Sequence, residues 1–315
     1  MWNKLLITLL LTLSGAISAC GPTSYVSLFP EPTPTPPNGF IDLNELAPPS
    51  RQILKFPSLS ADGHILVAIR NRYSQDESWG RLFVIDTDNA QVLFNTEDEE
   101  RWESFAVSPD GEQIATCDGT DIYLVDWKVG TTTYLTSGCW SAWSPDGNRL
   151  AYVLYNDDLI QIRVRDLATN MEEIVYESPS AQKFLGQLVW SPTQDKLAFV
   201  QTMESSSRTI YTLCTVDADG SNYREITDHS QKVYSFTFTP DGNKFLYIDG
   251  YSPDSIRMVD LEGQYYRFEF HVSGLEEIAL SSFGNKIVYQ TRYGLLITDT
   301  ETAFGENFWK TKPRS

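Results

Sequence analysis

A short turn motif, repeated six times, constrains the fold of this chain more than any other feature. The second, third and fifth copies read Ser/Thr-Pro-Asp-Gly and lead into an apolar run, and the other three are looser versions of the same pattern. The six copies begin at Ser60, Ser108, Ser144, Ser191, Thr239 and Ser281. Successive copies are therefore 36 to 48 residues apart, which is the period of four-stranded propeller blades. The repeat predicts an all-β fold, a six-bladed β-propeller of four-stranded antiparallel blades.

The chemistry of the motif explains why it turns the chain. Proline presets φ at the first central position, aspartate tolerates the second, and glycine takes the positive φ that a bulged hairpin needs. The fourth copy has Thr193 and Gln194 in place of Asp-Gly, and the sixth has Phe283, so we expect those two turns to be less regular. The residue before each copy is bulky and apolar, which predicts packing between neighbouring sheets. These six residues are Leu59, Val107, Trp143, Trp190, Phe238 and Leu280.

A second periodic mark is an aspartate at the end of the third predicted strand of each unit. The six are Asp86, Asp126, Asp166, Asp217, Asp260 and Asp299. Six carboxylates around a channel would be a candidate site. An aspartate in this position, however, commonly accepts hydrogen bonds from the amides of the next turn. We therefore expect these aspartates to stabilise turns.

The combined pattern resembles the WD40-like repeats of TolB-type β-propellers. The resemblance rests on Ser-Pro-Asp-Gly with its following Leu-Ala (144–151), on a Tyr-Leu-Val-Asp strand (123–126) and on a Tyr-Arg-Glu-Ile-Thr segment (223–227). The repeats are also similar to those of the propeller in dipeptidyl peptidase IV-type proteins. The resemblance covers about residues 51–315 and implies little about activity, because one fold hosts many functions.

The repeat also sets the expected domain organisation. We expect a single propeller over residues 40–315, with blades that start near residues 51, 102, 138, 185, 233 and 275. Residues 40–54 precede the first complete unit and are a candidate for a strand that helps to close the ring.

Residues 1–39 indicate a targeting segment followed by a spacer. A positively charged start leads into an apolar run at residues 5–13, which is too short for a membrane-spanning helix. The Ile-Ser-Ala-Cys-Gly sequence that ends at Gly21 resembles a bacterial lipobox, which implies a signal peptide at 1–19 and lipidation of Cys20. Residues 20–39 are proline-rich and predict an extended tether. The alternative is an ordinary secretory signal with an incidental cysteine. The predicted location is extracytoplasmic, in the cell envelope, with a lipid anchor in the bacterial membrane.

An extracytoplasmic location permits disulfides, and three further cysteines are present. Cys117 ends one apolar run and Cys139 opens the next predicted inner strand, so a bridge between these two is possible. Cys214 lies within a predicted strand and is expected to be a buried free thiol.

The acidity of the chain limits its partners. A formal net charge of −18 and a pI near 4.5 argue against binding to nucleic acid, which needs a basic surface. Solubility is a sufficient explanation of the charge, and a basic partner or a divalent cation is the alternative. The predicted partners are an envelope protein, peptide or glycan, and the membrane through the acylated N-terminus. Apart from that cation, no cofactor and no metal site is expected.

Loop length locates the candidate recognition surface. In a propeller, the loops between second and third strands and those between blades lie on the face away from the repeated turns. The longest such loops are at residues 71–81 and 203–208, and an acidic link at 95–103 lies on the same predicted face. The alternatives are self-packing of the first loop and simple solvation of the acidic link. The candidate ligand-binding residues are Arg72, Tyr73, Trp79, Arg81, Glu99, Glu100 and Trp102.

Catalytic motifs are missing from the sequence. The chain has no Gly-x-Ser-x-Gly motif, and His64, His229 and His271 are scattered among the repeats. These features argue against a peptidase and against a histidine-rich metal site. We therefore expect a membrane-anchored extracytoplasmic module that binds a protein, peptide or glycan. The alternative is an extracytoplasmic hydrolase or lyase that acts on carbohydrate or peptide with carboxylates in the central funnel.

Overall fold

The computed structural model describes residues 40–46, 52–72, 79–97, 100–156, 159–179, 182–204, 209–228, 232–251, 255–272 and 274–305. These residues form six antiparallel sheets that follow one another along the chain. Each sheet contacts the next through its inner strand, and the sixth contacts the first, so the sheets close into a ring. The predicted six-bladed β-propeller of four-stranded antiparallel blades is confirmed. The predicted signal peptide, Cys20 and the tether lie outside the described residues.

The first half of the ring contains three blades, each with its first strand innermost. The chain enters through β1 (Ile41–Asp42) and a short 3-10 helix (Leu43–Leu46). Blade one contains β2 (Gln52–Leu59), β3 (Ile65–Arg72), β4 (Trp79–Asp86) and β5 (Gln91–Asn95), with the added strand β6 (Glu100–Arg101) beside β4. Blade two contains β7 (Ser104–Val107), β8 (Gln113–Cys117), β9 (Asp121–Asp126) and β10 (Thr131–Ser137). Blade three contains β11 (Cys139–Trp143), β12 (Arg149–Tyr155), β13 (Leu159–Asp166) and β14 (Glu172–Pro179).

The second half of the ring repeats this arrangement. Blade four contains β15 (Gln182–Trp190), β16 (Lys196–Glu204), β17 (Thr209–Asp217) and β18 (Arg224–Glu225). Blade five contains β19 (Val233–Phe238), β20 (Lys244–Asp249), β21 (Ser255–Asp260) and β22 (Tyr265–His271). Blade six contains β23 (Leu275–Leu280), β24 (Lys286–Thr291) and β25 (Gly294–Asp299), which leads into the single-turn helix α1 (Thr300–Phe304). Among all the described residues, no helix is long and apolar enough to cross a membrane.

The N-terminal strand closes the ring. β1 supplies the outermost strand of blade six, where Ile41 pairs with Ile297 and Asp42 pairs with Leu296. The side chain of Leu43 is fully buried in the cluster between blades six and one. A closing strand from residues 40–54 is therefore confirmed, and two ends of the chain that are distant in sequence share one sheet.

The repeated turns have the expected geometry in most blades. In blade three, the amide of Gly147 donates to the carbonyl of Ser144 at 2.9 Å, and Gly147 has a φ of 72°. The Ser144 hydroxyl donates to the carboxylate of Asp146 at 2.5 Å and accepts from the amide of Arg149 at 2.9 Å. The hydroxyl therefore links the two sides of the turn, which explains why Ser or Thr begins every copy.

The two exceptional turns behave differently from each other. In blade four, the amide of Gln194 donates to the Ser191 hydroxyl at 3.2 Å instead of to its carbonyl, which agrees with the predicted irregularity. The same prediction is wrong for blade six, because Gly284 still supplies a positive φ of 73° and donates to the Ser281 carbonyl at 2.8 Å. Asn285 takes the role of the missing aspartate at 2.7 Å from the Ser281 hydroxyl.

The apolar core consists of clusters between neighbouring sheets. The predicted packing of the residue before each turn is confirmed, since each of the six lies in a cluster that joins two blades. Trp143, for example, also donates its indole N–H to the carbonyl of Ala106 in blade two at 2.9 Å. The ring is therefore stabilised by apolar burial at each junction between blades.

Four of the six aspartates at the ends of the third strands accept hydrogen bonds from turn amides, as predicted: Asp86, Asp126, Asp166 and Asp260. The prediction is wrong for Asp299, which makes no side-chain cap hydrogen bond and pairs with Lys286, and Asp217 is bonded by the side chains of Lys196 and Asn222. The carboxylate of Asp126 accepts from the amides of Lys128 and Val129 at 3.0 and 3.1 Å. Asp166 makes the equivalent bonds with the two corresponding amides. These hydrogen bonds lower the pKa of the Asp166 carboxyl. The carboxylates are thus held at the turns and are not gathered around the channel.

Candidate functional site

The inner strands of the six blades surround a central channel that contains a cavity of about 220 Å³. We call the side of the ring with the repeated turns the turn face, and the opposite side the loop face. The turn-face end is narrowed by turn residues, where the Ala61 amide donates to the Pro109 carbonyl at 3.1 Å and the Phe283 amide donates to the Ala61 carbonyl at 2.9 Å. The inner strands start on the loop-face side. The side chains at these strand starts line the cavity and differ in chemistry from blade to blade.

Two aromatic residues of the cavity wall have strained backbone conformations. Phe56 and Trp140 have φ values of 56° and 54°, which bulky side chains rarely adopt. Both lie where the inner strand shifts register against its neighbour, between Lys55 and Ser58 and between Cys139 and Ala142. A bulge of this kind redirects a side chain. Here the two redirected rings line the cavity.

Polar side chains near the starts of the inner strands join neighbouring blades. The Ser104 hydroxyl accepts from the amide of Trp140 at 3.0 Å. The amide side chain of Gln187 bonds both the N–H and the carbonyl of Phe236, at 3.0 and 2.9 Å. The Ser235 hydroxyl accepts from the amide of Ile278 at 3.3 Å. Ser104, Gln187 and Ser235 each lie four residues before the turn Ser or Thr, so one position of the repeat links blade to blade.

In blade six, this linking position is occupied by Glu277, which lines the cavity. The residue of blade one that corresponds to Phe236 and Ile278 is Pro57, which has no N–H to donate. The neighbouring amide of Phe56 already donates to the side chain of Gln290 at 2.5 Å. The repeat therefore places the carboxyl group of Glu277 next to Pro57, where the backbone has no N–H to donate a hydrogen bond.

The pKa of Glu277 reflects this environment. Burial disfavours the charged form, and the charge of Glu276 adds repulsion, so the pKa of the Glu277 carboxyl is raised to about 8. The Glu276 carboxylate accepts a hydrogen bond from the side-chain amide of Gln290 at 3.1 Å. A carboxyl group with a strongly raised pKa in a cavity is a candidate functional group.

Glu103 brings another carboxylate to the cavity, beside a disulfide. It pairs with Arg101, and it lines the cavity in the link that leads to β7. Cys117 of blade two and Cys139 of blade three are joined in a disulfide, with their Cα atoms 5.3 Å apart. Among the described residues, Glu103 and these two cysteines are the single group with metal-ligand spacing, but disulfide sulfurs do not serve as thiolate ligands.

Cys214 is buried and unpaired, in agreement with the sequence-based expectation. Burial raises the pKa of its thiol to about 12. A thiol with so high a pKa is a poor nucleophile.

The structure brings two of the predicted loops together. β6, in the acidic link 95–103, pairs with the start of β4, with Trp79 opposite Arg101 and Gly80 opposite Glu100. The link then continues to Glu103 at the channel wall. The outer part of blade one is thereby connected with the loop-face side of the channel wall.

The predicted ligand-binding residues have different positions relative to this side of the channel wall. Tyr73, Glu99 and most of loop 203–208 lie outside the described residues, and Arg72 and Trp79 are described only by their strand backbone. Arg81 is half-buried in β4, and its Nε has no hydrogen-bond partner among the described residues. Glu100 is exposed. Trp102 is only 4% exposed and its ring centre lies 6.2 Å from that of Phe105, so it packs inside the protein.

The residues with the most distinctive chemistry were missed by loop-length reasoning. Trp140, Gln187 and Glu277 all occupy the linking position of the repeat. A comparison of the six inner strands at that one position would have identified the carboxyl group as an exception. Pro57, which has no N–H, could be recognised as the neighbour of Glu277 only from the closed ring, because the two residues are far apart in the sequence.

The chain is similar to two curated proteins, both described as the Tol-Pal system protein TolB. It is 29% identical to the protein of Hahella chejuensis over 140 residues and 33% identical to that of Coxiella burnetii over 103 residues. These segments cover 41% and 32% of this chain, but only 31% and 22% of the two relatives. No family model matches the chain.

Solved structures share the fold at low sequence identity. A protein of Agrobacterium tumefaciens assigned as TolB has a TM-score of 0.56 and 18% identity, with 79% of this chain and 91% of that chain covered. Hydrazine synthase of Kuenenia stuttgartiensis has a TM-score of 0.58 and 14% identity, with coverages of 78% and 83%. Oligogalacturonate lyase of Vibrio parahaemolyticus has a TM-score of 0.55 and 12% identity, with coverages of 81% and 78%. At these identities the three structures show the fold alone. Together with the repeated turns and the ring of six blades, the curated relatives identify this chain as a TolB-like β-propeller.

Proposed function

We propose that this chain is an extracytoplasmic, lipid-anchored scaffold that binds an envelope protein or a peptide segment of one at the loop face. The observation that carries the proposal is the set of residues on the loop-face side of the channel cavity. There, the acidic link that starts at the rim of blade one reaches the wall at Glu103, next to the redirected ring of Trp140. An aromatic side chain beside hydrogen-bonding groups is typical of an anchor site in protein interfaces.

The relatives support a protein ligand in preference to a glycan. Both curated relatives are named as parts of the Tol-Pal system, so the repeats of this chain are similar to those of a protein that works in an assembly. The cavity of about 220 Å³ is smaller than the roughly 300–1,000 Å³ typical of sites for whole small molecules. It suits one inserted side chain of a larger partner.

The N-terminal sequence supports anchoring outside the cytoplasm. The lipobox-like residues before Cys20 and the proline-rich segment 20–39 lead to Ile41, the first residue of the closing strand. A tether that ends at the rim of blade six would hold the ring away from a membrane surface. The disulfide between Cys117 and Cys139 is compatible with an oxidising compartment.

Affinity capture from envelope extracts tests the binding function. The bait is the propeller from residue 40 onward, compared with a variant that carries Trp140→Ala and a matched variant with Phe283→Ala, which removes an aromatic ring that is 72% exposed on the turn face. We expect a reproducible protein to be captured by the wild type and by the turn-face variant, and to be lost with Trp140→Ala. Equal capture by the wild type and both variants would contradict binding at the loop face.

The lipid anchor has a separate test. Expression of the full chain with Cys20→Ser should move the protein from the membrane fraction to the soluble extracytoplasmic fraction, because the acylated residue is lost. Intact-mass measurement of the wild type should show an acyl modification on an N-terminal cysteine. A wild-type protein that starts elsewhere and carries no acyl chain would contradict the anchor.

The alternative function is that of an extracytoplasmic hydrolase or lyase. The observation in its favour is the pKa of Glu277, raised to about 8 by burial and by Glu276, because a carboxylic acid that remains protonated near neutral pH can serve as a general acid. Incubation with oligogalacturonate and with a peptide mixture tests it. Turnover by the wild type that disappears with Glu277→Gln would support the enzyme, and absence of turnover would remove it.

A further inference from the structure

The contact between blades six and one differs from the other linked contacts in one chemical respect. Ser104, Gln187 and Ser235 satisfy backbone amides of the next blade, whereas Glu277 occupies the same position and meets Pro57. Its carboxyl group has no hydrogen-bond partner among the described residues. An unpaired acid in a partly closed cavity is costly unless a donor from elsewhere reaches it.

The other carboxylates of the cavity region have partners from the protein. Glu103 is paired with Arg101, and Glu276 accepts from Gln290. No Lys, Arg or His is among the described residues that line the cavity. Glu277 is therefore the acidic group that is left for a ligand to neutralise.

The rest of the cavity wall suits an elongated cation. Phe56 and Trp140 provide aromatic rings, and aromatic faces attract ammonium and guanidinium groups. On the side of blades three and four, Ser141 and Trp190 line the same cavity and are each 6% exposed. The Ser141 hydroxyl and the Trp190 indole N–H have no partner in the described part of the chain. Both atoms are themselves buried from solvent, so the accessible wall combines aromatic and apolar surface with the carboxyl group of Glu277.

We propose that this cavity binds the basic side chain of a protein or peptide ligand, with Glu277 as the countercharge for its guanidinium or ammonium group. The inference rests on the proposed binding function and adds to it the chemistry of the anchoring residue. A volume of about 220 Å³ accommodates one long side chain, and the net charge of −18 favours the approach of a basic segment. A partly buried carboxylate and a cation that donates hydrogen bonds form a charge-assisted pair.

Binding of a cation also requires Glu277 to release its proton. Its pKa near 8 means that part of the binding free energy is used for ionisation below that pH, so the affinity for a cation should increase between about pH 6.5 and pH 8.5. Glu276 is the group whose charge acts on Glu277. The strands packed against β23 carry these other titratable groups on their loop-face halves: Lys55 on β2, Tyr234 on β19, Tyr247 and Asp249 on β20, and Tyr289 on β24.

A pair of peptides that differ only in charge tests the proposal. The probes are acetyl-Gly-Ala-Arg-Ala-Gly-amide and the same peptide with citrulline, which keeps the shape of arginine without its charge. Binding is measured by chemical-shift titration at about pH 8.5. We expect the arginine peptide to bind at least about fivefold more tightly to the wild type, since its pair with Glu277 is charge-assisted. The preference should fall to less than about twofold with Glu277→Gln, and should be smaller at about pH 6.5 than at pH 8.5.

Glu173→Gln is the matched control, because it removes the same charge from an exposed position on the rim strand β14. It should keep the wild-type preference, and circular dichroism should show that both variants are folded. A preference that survives Glu277→Gln, or one that is lost equally with Glu173→Gln, would overturn the proposal.

Failure of the cation site can be distinguished from failure of the proposed binding function. If envelope capture succeeds but the wild type has no charge preference, only the cation site is wrong. If the preference is present but no protein is captured, only the binding function is wrong.

Discussion

At the scale of single residues, one position of the repeat explains much of the ring and of the candidate site. Four residues before each turn, a serine or glutamine side chain can satisfy an amide of the next blade, as Ser104 and Gln187 do. Where that position is Glu277 and the neighbour is Pro57, the same geometry leaves an acid without a donor. The position that links neighbouring blades elsewhere in the ring is therefore, at this one contact, a position where a ligand can bind.

The pH dependence of stability should report Glu277. Its pKa in the folded protein, about 8, lies above the value near 4.3 of an unfolded chain, so the folded state binds the extra proton. Its contribution to stability is complete below about pH 4 and is lost as pH rises towards 8. Urea unfolding of wild type and Glu277→Gln at about pH 5 and pH 8.5 should show a larger loss for the wild type. Identical pH profiles would contradict the raised pKa.

The two tryptophans before the turns of blades three and four provide a matched pair. Trp143 donates its indole N–H to the carbonyl of Ala106, whereas the indole N–H of Trp190 has no partner in the described part of the chain. Both are more than nine-tenths buried. Trp143→Phe should therefore reduce the free energy of unfolding by about 1 kcal/mol more than Trp190→Phe, the usual net value of one hydrogen bond. An equal or larger effect at Trp190 would show that this bond adds no stability.

At the scale of elements, the ring depends on two connections between segments that are separate in the chain. β1 completes blade six although it precedes blade one, and the disulfide ties β8 of blade two to β11 of blade three. Both connections are made by short segments at the loop-face side or the rim. Each can therefore be tested by changing one or two residues.

Closure by β1 should depend on one buried side chain. Leu43 is 0% exposed, while Ile41 of the same segment is 44% exposed. Leu43→Ala should cost about 2–5 kcal/mol, the range for buried leucine, and Ile41→Ala should cost much less. Chemical denaturation measures both. Similar small effects would mean that the closing strand contributes little to the stability of the ring.

The disulfide should stabilise the contact between blades two and three. It closes a loop of 22 residues, for which loop-closure entropy predicts about 3 kcal/mol. The double variant Cys117→Ala/Cys139→Ala should lose roughly this amount relative to the oxidised wild type. Cys214→Ala, which removes the buried free thiol but keeps the bridge, is the control and should lose stability with reductant as the wild type does. Insensitivity of the wild type to reductant would argue against a stabilising bridge.

The repeat predicted the fold because its information is local. Proline, aspartate and glycine in the turns specify conformation within a few residues, and the bulky residue before each turn needs only the next sheet to be buried. The irregularity expected from Phe283 was wrong because Gly284 and Asn285 restore the same turn. The site could not be predicted in this way. A comparison of the six inner strands identifies Glu277 as the one acid at its position, but its missing donor follows from Pro57, which is its neighbour only in the closed ring.

At the scale of the whole molecule, the two faces of the ring have different roles. The turn face is uniform, because the same motif recurs there and its carboxylates are occupied by their own turns. The loop face carries what does not repeat: the pairing of β6 with β4, the disulfide, the redirected Trp140 and Glu277 on the cavity wall.

Site-specific photo-crosslinking in intact cells can show whether a partner binds at the loop face. A photoreactive amino acid is placed at position 140 on the channel wall or, in a separate variant, at position 283 on the turn face, where Phe283 is 72% exposed. The account predicts a discrete protein adduct from position 140 that is absent from position 283. An adduct from position 283 alone would contradict it and would place the binding surface on the turn face.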